Sequence, residues 1–364
     1  MKIKHDRFGP EYIVEVYDPK IGMRGFLVID NLTLGPGKGG IRMTSNLTVD
    51  EVFRLARTMT WKNSLAGIPF GGAKAGIVWD GGDEKLKKSF VQSFARKIKF
   101  FVPGLYIAGP DVNTGEKEMQ WFVEAAGSRK TATGKPKKLG GLPHELGSTG
   151  FGVAKAAVIA AELKGINLKN ATVAIDGFGN VGSFAFKFLN KAGAKIVAVA
   201  DSRSTAFSEK GLDFSKIVKL KSRGGPVGDY LGAKKLAREK IFGLKVDILI
   251  PASVTDVIND KNKRAVKAKI IVEGANIPMR EDIENELSRR GILIVPDFVA
   301  NAGGVISSYA EYRGYGPKKM FEMVEQKITD SVRLVLGSSL KLKKSPREAA
   351  LALARKRVES KVRL

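Results

Sequence analysis

Cysteine is absent from the 364 residues, and histidine occurs only as His5 and His144. The first absence excludes disulfides and thiolate chemistry; with histidine so scarce, a zinc site of the usual ligand types is not expected, nor any other metal. No apolar run is long enough to cross a bilayer. The opening residues MKIKHDRFGPEYIVEV put charges and Gly-Pro where a signal peptide carries its apolar segment. The expectation is a cytoplasmic protein with no membrane partner. Glutamine is also scarce, only Gln92, Gln120 and Gln326, beside abundant lysine, a balance that fits selection for high temperature.

Acidic residues are short as well: 37 Asp and Glu face 62 Lys and Arg, a formal charge of +25. Nucleic acid is the first partner such a balance suggests. The basic residues are spread through EKLKK, GKPKK, DKNKR, LKLKKSPR and ARKRVESKVRL, and no aromatic residues are interleaved with them as stacking platforms. Solvated lysine faces are therefore favoured over a specific nucleic-acid interface.

An apolar fraction of 43% over this length supports two domains. From Glu11 to Arg42 apolar residues alternate or cluster as in strands (YIVEVYD, GFLVIDN), and VDEVFRLARTMTWKNS then has helical spacing. Glycine-rich PFGGAKAGIVWD, read as a loop, separates it from the helical KLKKSFVQSFARKIKFFV, which is followed by LYIAGPDVNTG and the helix EKEMQWFVEAAG. The stretch SRKTATGKPKKLGGLPHELGSTG lacks a sustained apolar period and marks a domain boundary. Beyond it, ATVAIDG, KIVAVAD, VDILIPA, AKIIVEGA and GILIVPD alternate with helical or loop segments, the pattern of a doubly wound parallel sheet. The fold class is α/β: a substrate-binding and oligomerisation domain over residues 1–142, a Rossmann-type domain over 143–337, and a C-terminal helical segment, 338–364, that packs back on the first domain.

The strand ATVAID runs into Gly177-Phe178-Gly179-Asn180-Val181-Gly182, which opens a helix, and Asp201 ends the next strand. In this context the spacing is a dinucleotide fingerprint: Gly177 for the tight turn, Gly179 for backbone approach to a pyrophosphate, Gly182 for close helix packing. Asp201 would accept from the adenosine ribose hydroxyls of NAD, whereas Ser202 and Arg203 could hold the 2′-phosphate of NADP. The cofactor is NAD or NADP, the choice open.

Hydride transfer is then expected, and its substrate has to be sought in the first domain. Lys38 in LGPGKGGIRM, Lys62 in MTWKNS and Lys74 in GGAKAG stand in small-residue or helix-end settings, and glycines around Lys38 and Lys74 would let a ligand approach the backbone. GGAKAG is not a P-loop, because Lys74 lies between two alanines instead of following Gly and preceding Ser or Thr. His144-Glu145 lacks a nucleophile-elbow serine and reads as loop.

The ordered set GPGKGGIRM, MTWKNSLAGIPFGGAKAGI, AGPDVNT, GSTGFGV, GFGNVG, VEGAN and PDFVANAGGVISSYAE, from about Gly25 to the C-terminus, resembles the amino-acid dehydrogenases acting on glutamate, leucine, phenylalanine and valine. The resemblance implies reversible oxidative deamination of an amino acid to a 2-oxo acid and ammonium. It implies a cleft between the first domain and the sheet's carboxyl edge, and a homo-oligomer, a hexamer for glutamate enzymes. Lys74 is similar to the catalytic lysine that activates water, and Asp111 to its proton-shuttling partner, although DVNT is also a plausible Asx-turn. Lys62 resembles the α-carboxylate ligand, in a place where the helix macrodipole alone favours a cation.

Lys38 and Ser308 match the pair that holds the side-chain carboxylate in glutamate enzymes, with Val305 also on the substrate side. Leucine enzymes have apolar residues there, so the match favours glutamate; leucine remains the alternative, and a non-catalytic basic binding protein the distant one. Thr149 resembles the residue that holds the nicotinamide carboxamide. Ala252, Asn276 and Asn301 fall near the same edge of the sheet, where Asn301 could instead cap the next helix. Ala75 and Gly109 depart from the residues common in glutamate enzymes.

Overall fold

The structure, a computed structural model, describes residues 3–361; the side chain of His144 and residues 362–364, the end of the expected C-terminal segment, lie outside the described residues. The chain divides into two compact units: Met1–Leu146 with Val305–Met320 and Leu351–Leu364, and Gly147–Gly304 with Phe321–Ala350.

In the first unit the order is β1 (Tyr12–Asp18), β2 (Met23–Asn31), β3 (Gly37–Lys38), β4 (Ile41–Thr44), α1 (Val49–Leu65), β5 (Gly71–Val78), α2 (Glu84–Lys97), β6 (Tyr106–Ile107) and α3 (Glu116–Ala126). The sheet runs β1-β2-β5-β3-β6, with β4 also pairing β5. β1, β2 and β5 form an antiparallel meander, while β3 and β4 lie parallel to β5. Leu27, Ile29, Ala73, Ala75 and Ile77 pack with Phe94 of α2 and Phe122 of α3 in one core. Helix starts follow from side-chain caps: Thr48 accepts from the Glu51 amide and Asp83 from the Leu86 amide.

Two differences from expectation concern this unit. The segment GGAKAGIV is a strand buried along nearly its whole length, not a loop. Its glycines, and those beside Lys38, serve the protein's own packing: a Cβ at Gly39 would collide with the Ala73 carbonyl, and one at Gly72 with Thr60 on α1. Close approach is required here, but between strand and strand and between strand and helix, not by a ligand. The helix expected to run to Val102 ends at Lys97, and a 3-10 turn over Lys99–Phe101 follows before Pro103.

The second unit contains α4 (Ser148–Leu163), β7 (Thr172–Asp176), α5 (Asn180–Lys191), β8 (Lys195–Ala200), β9 (Thr205–Phe207), α6 (Phe214–Ser222), β10 (Lys234–Leu236), β11 (Ile248–Pro251), β12 (Ile270–Val272), α7 (Glu281–Arg289), β13 (Leu293–Val295) and α8 (Asp297–Ala300). Its sheet has the order β10-β9-β8-β7-β11-β12-β13. The five strands from β8 to β13 are parallel; the short β9 and β10 add an antiparallel edge that the apolar pattern did not signal. β8 lies on one side of β7 and β11 on the other, so the crossovers diverge beside the loop that leaves β7.

Three helices close the chain: α9 (Gly303–Tyr312), α10 (Pro317–Leu342) and α11 (Pro346–Glu359). They do not follow the expected 338–364 division. Val305–Met320 belongs to the first unit, Phe321–Ala350 to the second, and only the chain from Leu351 onward joins the first unit again. The physical reason is visible in each unit. Tyr309 and Tyr312 pack edge-on to Phe70, and Arg357 donates to the carbonyls of Ser64 and Leu65 at the end of α1. In the second unit, Arg333 on α10 pairs with Glu162 of α4.

Candidate functional site

In the first unit, β3, β4 and β5 bring Lys38, Arg42 and Lys74 onto adjacent strands. Lys74 is buried, and its Nζ lies 3.0 Å from Asp111 Oδ2. Asp111 sits in the loop after β6. Its Oδ2 also accepts from Arg42 Nε at 2.9 Å, and Arg42 Nη1 reaches Glu51 Oε1 at 2.7 Å. The two residues expected to act as a pair are therefore together, and two that sequence reasoning passed over, Arg42 and Glu51, complete the network.

The Asx-turn expected as the alternative for Asp111 is not formed by its carboxylate. The turn exists, but the Thr114 hydroxyl holds it, accepting from the Asp111 amide at 2.8 Å and donating to the Ile41 carbonyl at 2.7 Å. The Asp111 carboxylate is left for the cations.

Protonation follows from burial and neighbours. Burial pulls the Lys74 ammonium below the usual lysine range, and Asp111 opposes that pull. Burial pushes the Asp111 carboxyl up, but Lys74 and Arg42 outweigh it and hold the acid low. Lys38 is pulled down to about 7, first by burial, then by the like charges of Lys135 and Lys74, with Glu311 opposing. Its Nζ donates to the Ala108 carbonyl at 2.7 Å, and among the described residues no carboxylate bonds to it. Glu311, whose charge Lys38 feels, is committed to Lys135 Nζ and to the amides of Gly134 and Leu142. A Cβ on Gly109 would stand 2.5 Å from Lys38 Nζ, so the missing methyl leaves the ammonium its room; the buried Thr133 hydroxyl, 3.7 Å from the same point, has no hydrogen-bond partner among the described residues.

Lys62 is half-buried in the last turn of α1. Ser308 and Val305, both half-buried on α9, are carried by the helix whose Tyr309 packs on Phe70, the residue that precedes β5.

In the second unit the fingerprint has the geometry its spacing demands. Gly177 has φ +103°, and a Cβ there would meet the Ser253 backbone. Gly179 is open, with no atom within 4 Å of a Cβ position, and a Cβ on Gly182 would strike the Gly177 carbonyl. The open glycine at the start of α5 is a cradle a backbone-hugging phosphate group would fill, so these residues fit a dinucleotide. Asp176 is buried beneath this loop and accepts from the Ser253 hydroxyl, which ties the end of β7 to the end of β11 beside Ala252. Val181 is half-buried on α5, and the Phe178 ring lies near the rings of Phe186 and Phe214, which makes it a packing residue.

Asp201 is not an open acceptor. Oδ1 takes the amides of Arg203 and Ser204, and Oδ2 takes Lys221 Nζ at 2.8 Å and the Val227 amide at 3.0 Å. Arg203 itself donates to the Gly224 carbonyl, while Ser202 is exposed. The acid is a clasp for its own loop, and Lys221 is a cation beside it that sequence reasoning missed, since it lies 20 residues away on α6.

Asn301 Nδ2 donates to Asn276 Oδ1 at 2.9 Å, so two of the expected cofactor residues are brought into contact at the loop after β12. Thr149 sits in the first turn of α4, and a Cβ on Gly304 would lie 3.0 Å from its hydroxyl.

Residues 140–363 match the family model described as Glutamate/Leucine/Phenylalanine/Valine dehydrogenase, and residues 10–127 match Glu/Leu/Phe/Val dehydrogenase, dimerisation domain. The chain is 40% identical to a glutamate dehydrogenase of Aeropyrum pernix over 349 residues, 90% of this chain and 83% of the relative. It is 43% identical to an NADP-specific glutamate dehydrogenase of Saccharolobus shibatae, covering 78% of this chain and 69% of the relative. It is 35% identical to an NAD-specific glutamate dehydrogenase of Clostridioides difficile, covering 94% and 86%. The fold is similar to that of a hetero-hexameric glutamate dehydrogenase from Thermus thermophilus, with TM-score 0.85 and 28% identity over 97% of this chain and 89% of that one.

Proposed function

Because the chain belongs to the glutamate/leucine/phenylalanine/valine dehydrogenase family, we propose that it is a glutamate dehydrogenase, catalysing the reversible oxidative deamination of L-glutamate to 2-oxoglutarate and ammonium with NAD or NADP. The observation that carries the substrate choice is Lys38, a buried ammonium whose bond is to a backbone carbonyl and, among the described residues, to no carboxylate. Such a cation is costly beside an aliphatic side chain and is neutralised by a carboxylate, which glutamate brings and leucine does not.

In this reading Lys38 and Ser308 hold the side-chain carboxylate, Val305 lies against the substrate's apolar stem, and Lys62 holds the α-carboxylate. Lys74, deprotonated, draws the proton from the water that adds to the imino carbon. Asp111, ionised at rest, takes a proton from the substrate ammonium before hydride transfer and returns it to the nitrogen as ammonia departs; the reverse direction retraces these transfers. The nicotinamide, when bound, supplies the hydride acceptor; the GFGNVG turn would hold its pyrophosphate, and Thr149, Ala252, Asn276 and Asn301 its nicotinamide side. Relatives are named for both cofactors, and Asp201 is closed by Lys221, so the preference belongs to experiment.

A homo-oligomer is supported by the match to the dimerisation domain and by β1, an edge strand that exposes Tyr12, Ile13 and Tyr17, and six subunits by the similarity to the hetero-hexameric enzyme of Thermus thermophilus. The cytoplasm is the proposed location; among the described residues no helix is long and apolar enough to cross a membrane.

The test is reductive amination with ammonium, NADH or NADPH, and either 2-oxoglutarate or 4-methyl-2-oxopentanoate, followed by loss of reduced-nicotinamide absorbance. Turnover of 2-oxoglutarate that falls by roughly 1,000-fold in Lys74→Ala is the expected result. Turnover of the branched acid alone would move the assignment to a leucine enzyme.

A further inference from the structure

Arg42 lies on β4, just beyond the Gly39–Gly40 pair that precedes the strand, and meets the Lys74–Asp111 pair directly. In the parallel pairing of β4 with β5, Arg42 stands opposite Gly76, two residues from Lys74. Residues two apart on a strand share a face, and paired residues share it too, so register alone puts the guanidinium on the side of the ammonium. Gly76 contributes no side chain between them. The contacts bear this out: Asp111 Oδ2 is shared by Arg42 Nε at 2.9 Å and Lys74 Nζ at 3.0 Å, and among the described residues Asp111 Oδ1 carries no hydrogen bond. The other end of the guanidinium is fixed by Glu51, in the first turn of α1, at 2.7 Å.

We infer that Arg42 is a positioning residue for the Lys74–Asp111 pair: it supplies Asp111 with a permanent counter-ion, so that Lys74 is free to part with its proton while the acid stays oriented with Oδ1 open. This rests on the function proposed above. A guanidinium does not titrate in the working range, whereas an ammonium does, so the two cations on Oδ2 are not equivalent. If Lys74 were the sole cation there, neutralising it would leave a largely buried carboxylate without a counter-ion; with Arg42 present it does not. The charged and titratable groups that bear on the pair are Lys38 from β3, Arg42 from β4, Glu51 from α1, and Asp111 itself, with Tyr106 of β6 feeling the Asp111 charge. Their signs differ. Arg42 pushes the Lys74 proton off, and Glu51 helps retain it.

Opposite signs make the test specific. The pH dependence of kcat/KM for glutamate oxidation is measured for the parent chain and for Arg42→Gln, Arg42→Lys and Glu51→Gln. In Arg42→Gln the limb on which activity rises with pH moves up by about one pH unit, because Lys74 keeps its proton longer. Arg42→Lys restores a positive charge and returns the limb part of the way to the parent position, as far as that ammonium itself stays protonated. Glu51→Gln moves it the other way, towards lower pH. A uniform loss of rate with no displacement, the same direction in Arg42→Gln and Glu51→Gln, or no rescue by lysine would each overturn the inference in favour of simple structural support. Competitive acetylation of Lys74 across pH, read by mass spectrometry of its peptide, reports the same displacements without turnover. A chain that does not oxidise glutamate would sink the proposed function, while the labelling midpoints would still decide the role of Arg42.

Discussion

Lys38 concentrates the energetics of substrate choice in one side chain. Its proton affinity is lowered to about 7 by burial, far below the 10.5 of an exposed lysine. For a basic group with a lowered folded pKa, the unfolded chain binds more protons between the two values, so stability rises as pH goes from about 7 to 10.5, and the full cost of the buried cation is felt below that window. Lys38→Met removes this cost. The variant is expected to melt at a temperature several degrees higher near neutral pH, to lose part of the alkaline gain in stability, and to lose roughly 100-fold or more in kcat/KM for 2-oxoglutarate, because the ligand carboxylate then enters without its cationic partner. Calorimetry across pH and the amination assay check both halves; a variant that loses stability without losing 2-oxoglutarate turnover would make Lys38 a structural residue.

At the scale of elements, a single arginine joins four segments of the second unit. Arg347, in the first turn of α11, reaches Glu273 after β12, Glu284 on α7 and Asp297 at the start of α8. Three carboxyl groups around one buried guanidinium cannot all be ionised at low cost: burial, together with Glu284 and Asp297, pushes the Glu273 carboxyl well above its usual range. For an acid with a raised folded pKa the stability it confers is present at low pH and is lost as pH rises through that window. Arg347→Met is therefore expected to cost about 3–5 kcal/mol near pH 7 and less towards pH 5, as the carboxyls protonate. Urea unfolding at the two pH values measures it, and a loss that does not change with pH would mean that packing against Phe298 dominates. The same cluster bears on the candidate cofactor loop, since Asp297 also accepts from the Ile277 amide next to Asn276.

For the whole molecule the unexplained quantity is the charge of +25. Many of its basic residues are engaged in pairs, among them Lys87 with Glu118, Arg333 with Glu162 and Lys263 with Glu286, and others are dispersed along the chain. A dispersed positive surface attracts polyanions without ordering them. The chain is expected to bind duplex DNA only weakly, with Kd on the order of 10 µM or above at physiological salt and no preference among sequences. Fluorescence anisotropy over a salt series tests this; nanomolar binding that survives physiological salt would mean a dedicated nucleic-acid face.

Local pattern and spacing determined much of this protein: the parallel core of the second sheet, because buried parallel strands are near-continuous apolar runs, and the GFGNVG turn, because its three glycines answer to backbone constraints within a few residues. Lys38 and Lys74 were legible as unusual for the same reason, their neighbours being too small for an ordinary surface, and Lys62 by its place at a helix end. What only the tertiary structure decided are relations across long stretches of chain. Arg42 meets Asp111 69 residues later, Lys221 closes Asp201 from the next helix, and Arg347 gathers carboxylates from three other elements. The glycines beside Lys38 and Lys74 turned out to admit neighbouring backbone, and the closing helices were shared between the two units. A charge network or a close backbone approach costs or yields free energy only when partners distant in sequence share a few ångströms, and no periodicity along the chain encodes that distance.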